Sequence, residues 1–143
     1  WPNLLDEVHM VRSRHLVLRA MSRSGDAGCL AAMEKFLESS GEFTSERLLL
    51  EAAEGLSLTG DEEYLPLFER AGQHVESAVG RARMAFAKYR CGSIDARQKI
   101  ARLLGHDNID AEARLWLIRQ IGREPFDEAV SALVPIKDPE TSE

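Results

Sequence analysis

Four glycines, each followed by a polar residue, recur along this chain at nearly constant spacing. They are Gly25-Asp26, Gly60-Asp61, Gly92-Ser93 and Gly122-Arg123, at intervals of 35, 32 and 30 residues. A period in this range constrains the fold more than any local motif, because it makes the chain a row of similar units, each burying its apolar face against the next. Counting forward from each glycine, the fourth position holds Cys29, Tyr64, Ala96 and Phe126, and the eighth holds Met33, Phe68, Ile100 and Val130. The eleventh holds Phe36, Ala71, Leu103 and Leu133. Offsets of i, i+4 and i+7 trace one face of an α-helix. Counting backward, the seventh position holds Leu18, Ala53, Ala85 and Leu115. The fifth holds Ala20, Gly55, Ala87 and Leu117, mostly small, as a close helix crossing requires. Each unit therefore reads as helix, glycine turn, helix.

Glycine suits such a turn because a helix often ends on a left-handed residue, a conformation that costs glycine little. Asp26 and Asp61 can then cap the next helix by accepting from an unpaired backbone N–H, and Asp61-Glu62-Glu63 puts negative charge at that helix's positive end. Ser39-Ser40-Gly41-Glu42 accounts for much of the extra length in the longest interval, after which Thr44 is the expected N-cap, with Phe43 packing on Leu48 as a hydrophobic staple. The pattern predicts helices near 3–10, 12–23, 27–38, 45–58, 62–73, 77–90, 94–104, 110–121 and 125–134. No segment alternates with period two over strand length, so the expected class is all-α.

Laid out in this way, the chain resembles the HEAT-like repeat family, including the short bacterial repeats related to those of phycobilisome lyases. The likeness rests on the first-helix endings Arg19-Ala20-Met21-Ser22-Arg23-Ser24-Gly25-Asp26 and Ala53-Glu54-Gly55-Leu56-Ser57-Leu58-Thr59-Gly60-Asp61. It rests also on Tyr64-Leu65-Pro66-Leu67-Phe68, with Pro in the first turn of the second helix, where its missing N–H leaves no bond unmade. Ser93 and Arg123 depart from the turn Asp, and Arg97 and Asp127 stand where earlier units have Leu30 and Leu65. The resemblance implies a right-handed α-α superhelix of about four and a half hairpins over residues 1–134, followed by a polar tail, 135–143. Trp1-Pro2-Asn3-Leu4-Leu5 matches the start of a second helix, so the expected reading is a fragment that begins inside a repeat of a longer protein. Tetratricopeptide repeats have a strict 34-residue period, which fits intervals of 35, 32 and 30 less well.

Composition narrows the function classes. Apolar residues make up 44% and charged residues 29% of 143, a folding composition, and no apolar run approaches membrane-spanning length. The net charge of −6 argues against a wholesale nucleic-acid binder. It is unevenly spread, with 7 basic and 13 acidic residues over 1–74 and 11 of each over 75–143. Residues 81–102 hold Arg81, Arg83, Lys88, Arg90, Arg97, Lys99 and Arg102 against Asp95 alone. Such a cluster either meets an acidic partner or phosphate-bearing ligand, or pairs with acidic neighbouring units.

A repeat of this kind implies that binding runs along the outward side of the second helices, usually the concave side. The candidate contact residues are Glu34, Glu63, Arg83, Arg90, Arg97, Gln98, Lys99 and Arg102. No catalytic constellation accompanies them. His9, His15, His74 and His106 are scattered without metal spacing, and no phosphate loop or GxSxG is present, so no cofactor or metal is expected. Cys29 occupies a core register position. Cys91, beside Arg90, is the more plausible reactive thiol, though chiefly structural. The apolar run Leu115-Trp116-Leu117-Ile118 reads as core. Two cysteines without a partner motif favour a reducing compartment, the cytoplasm. The expected function is a non-enzymatic scaffold that binds a protein partner or the rest of its parent chain, with self-association through the solenoid ends as a further possibility. Two alternatives stand beside it: a substrate-holding helper with a pocket at Cys91 or His106, and nucleic-acid backbone binding through 81–102.

Overall fold

The computed structural model describes residues 11–106 and 108–133. They form eight α-helices and no strand. We label them α1 (Val11–Ser24), α2 (Ala27–Glu38), α3 (Glu46–Ser57), α4 (Leu65–Gly72), α5 (Ala78–Arg90), α6 (Ile94–Gly105), α7 (Ala111–Arg123) and α8 (Asp127–Leu133). A 3-10 turn, Glu62–Tyr64, leads into α4. The predicted helix at 3–10 and the tail after 134 lie outside the described residues. None of the described helices is long and apolar enough to cross a membrane.

Three of the four anchor glycines do what the repeat requires. Gly25, Gly60 and Gly92 have φ of 65°, 68° and 93°, the left-handed conformation that ends one helix and releases the next. Asp26 accepts from the Cys29 N–H at 3.2 Å and Asp61 from the Glu63 N–H at 2.9 Å. Ser93, a departure from the aspartate pattern, performs the same task for Ala96 at 3.1 Å.

Gly122 does not turn the chain. It lies inside α7, which runs on to Arg123 and stops before Pro125. The helix therefore overshoots by two residues, and its buried register moves with it. Leu117, seven residues before Glu124, is fully buried, whereas Leu115 is 48% exposed. In α8, likewise, Ala129 is buried and Val130 exposed. The expected staple is absent too. Phe43 is 95% exposed, because the Thr44 hydroxyl accepts from the Gly41 N–H (2.9 Å) while the Thr44 N–H donates to the Gly41 carbonyl (3.0 Å). That reciprocal turn leaves Ser45 at the N-cap position, with no side-chain bond to α3.

Packing follows the order of the hairpins. The odd helices stack α1 on α3, α3 on α5 and α5 on α7; α2 packs on α4 and α6 on α8. The apolar interior forms two clusters that divide along α5. Met84, Ala87 and Cys91 belong with α1 to α4, while Ala82, Ala85 and Phe86 belong with α6 to α8. The α1–α3 crossing is the closest fit. A Cβ added at Gly55 would overlap the Ser22 hydroxyl and come within 2.8 Å of the Met33 sulfur. Gly55→Ala is therefore expected to cost about 2–3 kcal/mol by overpacking. Gly25→Ala, with open space around it but a left-handed backbone, is expected to cost only about 1–2 kcal/mol. Urea denaturation midpoints of the two variants measure the difference.

Candidate functional site

Two surfaces carry side chains that could act on something outside the chain, one on the odd helices and one on the even helices. On the odd-helix side, arginines of α5 reach carboxylates of the hairpins before and after it. Arg83 of α5 reaches back to α3, donating from Nε to Glu54 Oε1 at 2.6 Å and from Nη2 to Glu54 Oε2 at 2.9 Å, with Glu51 Oε1 at 3.9 Å. Arg90 reaches forward to Glu124 at the end of α7 (2.7 Å) and back to the Ser57 hydroxyl (3.3 Å), with its guanidinium over the Phe86 ring. Gln120 Nε2 donates to the same Glu124 carboxylate at 3.2 Å. Glu46, at the start of α3, accepts from the Glu76 and Ser77 N–H groups and from the Ser77 hydroxyl. The direct links join residues 29 to 34 positions apart, one hairpin spacing.

These neighbours set the titration behaviour. For Arg83, burial works against the charge, but Glu54, Glu51 and Glu46 outweigh it and raise its pKa further. For Glu46, burial favours the neutral acid, but the bonds from Ser77 and Glu76 prevail and lower its pKa. His15 is almost fully buried with Nδ1 3.5 Å from Glu51. Burial, together with Arg47, Arg19 and Arg83, lowers its pKa against the pull of Glu51. Trp116, expected in the core, is half-buried: it packs edge-on against Phe86 and lines the hollow over these charges. Of its apolar run only Leu117 is buried, and Leu115 and Ile118 face outward.

The even-helix side is different. Glu34 on α2 and Glu63 in the 3-10 turn line one shallow hollow together with Tyr64 and Arg70. Lys99 and Arg102 line a separate cavity between α4 and α6. Gln98 is exposed on α6 beside them, and Arg97 is bonded to Glu128 of α8 at 2.7 Å, over the Phe126 ring. The structure thus distributes the eight sequence candidates among several places. Arg83 and Arg90 belong to the odd-helix charge network, Arg97 joins α6 to α8, and Glu34, Glu63, Lys99 and Arg102 stay on the even-helix surface, where no described opposite charge lies within ion-pair distance. Of the seven cations in 81–102, Arg83, Lys88, Arg90 and Arg97 face carboxylates. Arg81 and Lys88 also line the α4–α6 cavity, and their spacing of seven on one helix was the signal in the sequence that could have singled them out.

Both cysteines are buried. Burial, with the nearby Asp61, pushes the Cys91 thiol up to about 11 despite Arg90, so the activation expected from that arginine is outweighed. His106 is exposed at the end of α6. Among the described residues no group of three or more His, Cys, Asp or Glu side chains is placed to hold a metal ion. Comparison of the chain with protein-family models, with curated proteins and with solved structures gave no match.

Two measurements check the odd-helix network. Arg83→Met strands Glu54 and Glu51 together and is expected to cost about 2–4 kcal/mol, whereas Arg97→Met, at an exposed pair, should cost less than about 1 kcal/mol. The second concerns pH. With a folded pKa below the ordinary 6.5, His15 is neutral in the fold where the unfolded chain already binds a proton, so stability falls as pH drops through 6.5. The Glu46 contribution is present above its ordinary 4.5 and is lost as pH falls towards its lower folded value. The urea midpoint should therefore decline between about pH 7 and pH 5.5, and His15→Gln should flatten that part while leaving the more acid limb.

Proposed function

We propose that this chain is a run of HEAT-like hairpins forming an α-solenoid, and that it serves as a non-enzymatic scaffold for a protein partner bound along the even-helix face. The observation that carries the reading is a set of charges on the even-helix face that no neighbouring hairpin uses, beside the Arg97–Glu128 pair that joins α6 to α8. The odd-helix charges at Glu54, Arg83, Arg90 and Glu124 are consumed in joining one hairpin to the next. Glu34, Glu63, Lys99 and Arg102 have no such partner among the described residues. Among the described residues the main packing joins helices of the same or adjoining hairpins, which supports the solenoid, since each unit of such an array buries its apolar face on the next. The exposed Leu115, Ile118 and Val130 of the last hairpin suit docking onto the rest of a parent chain or a second copy.

The rival readings draw less support. A thiol-based helper needs an accessible thiolate, and Cys91 is 1% exposed with its pKa raised. Grip on a nucleic-acid backbone needs free cations, and most of those in 81–102 already face carboxylates.

The test is the combined substitution of Glu34, Glu63, Lys99 and Arg102 by Ala. Proteins captured by the wild-type chain and identified by mass spectrometry should be lost by the variant, while its melting temperature stays within about 2 °C. Unaltered capture would overturn the assignment of binding to this face.

A further inference from the structure

The row of even helices is interrupted once. α2 packs on α4 and α6 packs on α8, but α4 and α6 do not pack on each other in the same way. α5 lies beneath both, and a cavity of about 300 Å³ opens between them. Its floor is made by Val75, Met84 and Ala85, each itself no more than 4% exposed. Its walls carry Arg81 and Lys88, seven residues apart on α5, and Lys99 and Arg102, three apart on α6. Two carboxylates, Glu69 and Asp95, also line it. Glu69 stands 2.9 Å from Lys88 Nζ, which leaves Arg81, Lys99 and Arg102 with Asp95 as the one remaining counter-charge in the cavity. In a chain of net charge −6, this is a small hollow with a surplus of two positive charges.

We propose that this cavity is a binding site for a small organic phosphate monoester. The dianion carries about −1.5 to −2 near neutral pH and presents three acceptor oxygens, which matches a surplus of two charges offered by several donors. A monocarboxylate would neutralise only part of that surplus. Guanidinium groups suit phosphate because they donate two parallel bonds from a fixed plane. The volume of about 300 Å³ exceeds what the inorganic ion fills, and leaves room for an organic body against the floor and the aliphatic stems of the cationic side chains. Gly72 keeps the space open. A Cβ there would point to within 3.4 Å of Met84 Cγ and 3.9 Å of Lys88 Nζ, so a longer side chain would occupy the cavity. The site shares Lys99 and Arg102 with the face of the protein-partner reading but does not depend on it, since a small-anion titration reads the cavity with no partner present.

Calorimetric titration with phenyl phosphate, inorganic phosphate and phenol tests the assignment. Phenyl phosphate is expected to saturate with a dissociation constant in the range of about 0.1–1 mM, at least about fivefold tighter than inorganic phosphate, and phenol to give no heat of binding. Lys99→Gln combined with Arg102→Gln should weaken phenyl phosphate at least about tenfold with the circular dichroism unchanged, since both side chains are exposed. Gly72→Leu should abolish it; if that variant does not fold, the double glutamine variant carries the test alone. No saturable binding of phenyl phosphate, equal affinity for inorganic phosphate, or undiminished affinity in the double glutamine variant would each overturn the proposal.

Discussion

α5 has to be apolar on opposed sides at once, and the two halves of the chain are joined through that requirement. Met84, Ala87 and Cys91 close the interior built by α1 to α4, while Ala82, Ala85 and Phe86 open the one built by α6 to α8. An ordinary surface helix has one apolar stripe and one polar face. Here the alanines let neighbouring helices approach closely on both sides. Phe86 supplies the bulk, edge-on to Tyr89 and to Trp116. The polar residues that remain on α5 are long. Arg83, Lys88 and Arg90 can cover apolar surface with their stems while their charged ends reach a carboxylate.

Those carboxylates belong to other hairpins, and this gives the charges a role different from stabilisation in bulk. Removing two ions from water offsets much of their attraction, so half-buried pairs add little net stability over apolar contacts of similar size. What they add is position. A slip of one residue between α3 and α5 would leave Glu54 and Arg83 unpaired in a partly dry site, a penalty that apolar surfaces, which are tolerant of sliding, do not impose. Arg90 extends the same constraint across three helices by binding Ser57 behind it and Glu124 ahead of it. The near-constant hairpin spacing is thus carried by charge geometry as well as by glycine turns.

This division explains what the sequence made legible. Helix existence and most boundaries followed from periodicity and from caps such as Asp26 and Asp61, because those signals act within one turn of backbone. The Gly122 register failed because glycine is permissive: it allows a left-handed turn without demanding one, and Pro125 set the end of α7 instead. The Phe43 staple failed through competition, since Thr44 satisfied Gly41 rather than α3. The basic stretch 81–102 was visible as composition, but composition does not separate a cation aimed at a neighbour from one aimed at solvent. Alternate sides of α5 and α6 do opposite things, and only the partners at Glu54, Glu69, Glu124 and Glu128 reveal which is which.

The same two-sided packing of α5 accounts for where the even-helix row opens. α4 is short, eight residues, and ends at Gly72, while α6 is committed to the second interior through Ile100 and Leu104. Each leans on α5 from its own side, so a cavity opens between them above Met84 and Ala85, which stay buried beneath the longer side chains of its walls. Stability alone would favour closing such a gap, and the backbone at Gly72 would permit it: the glycine is helical and a Cβ there would meet Met84 at an ordinary contact distance. Instead the position is empty, and the walls gather four cations against the two carboxylates Glu69 and Asp95. On the odd-helix side, by contrast, the cations of α5 are held by carboxylates of the adjoining hairpins, Arg83 by Glu54 and Arg90 by Glu124, so that α5 itself leaves no unpaired cation there.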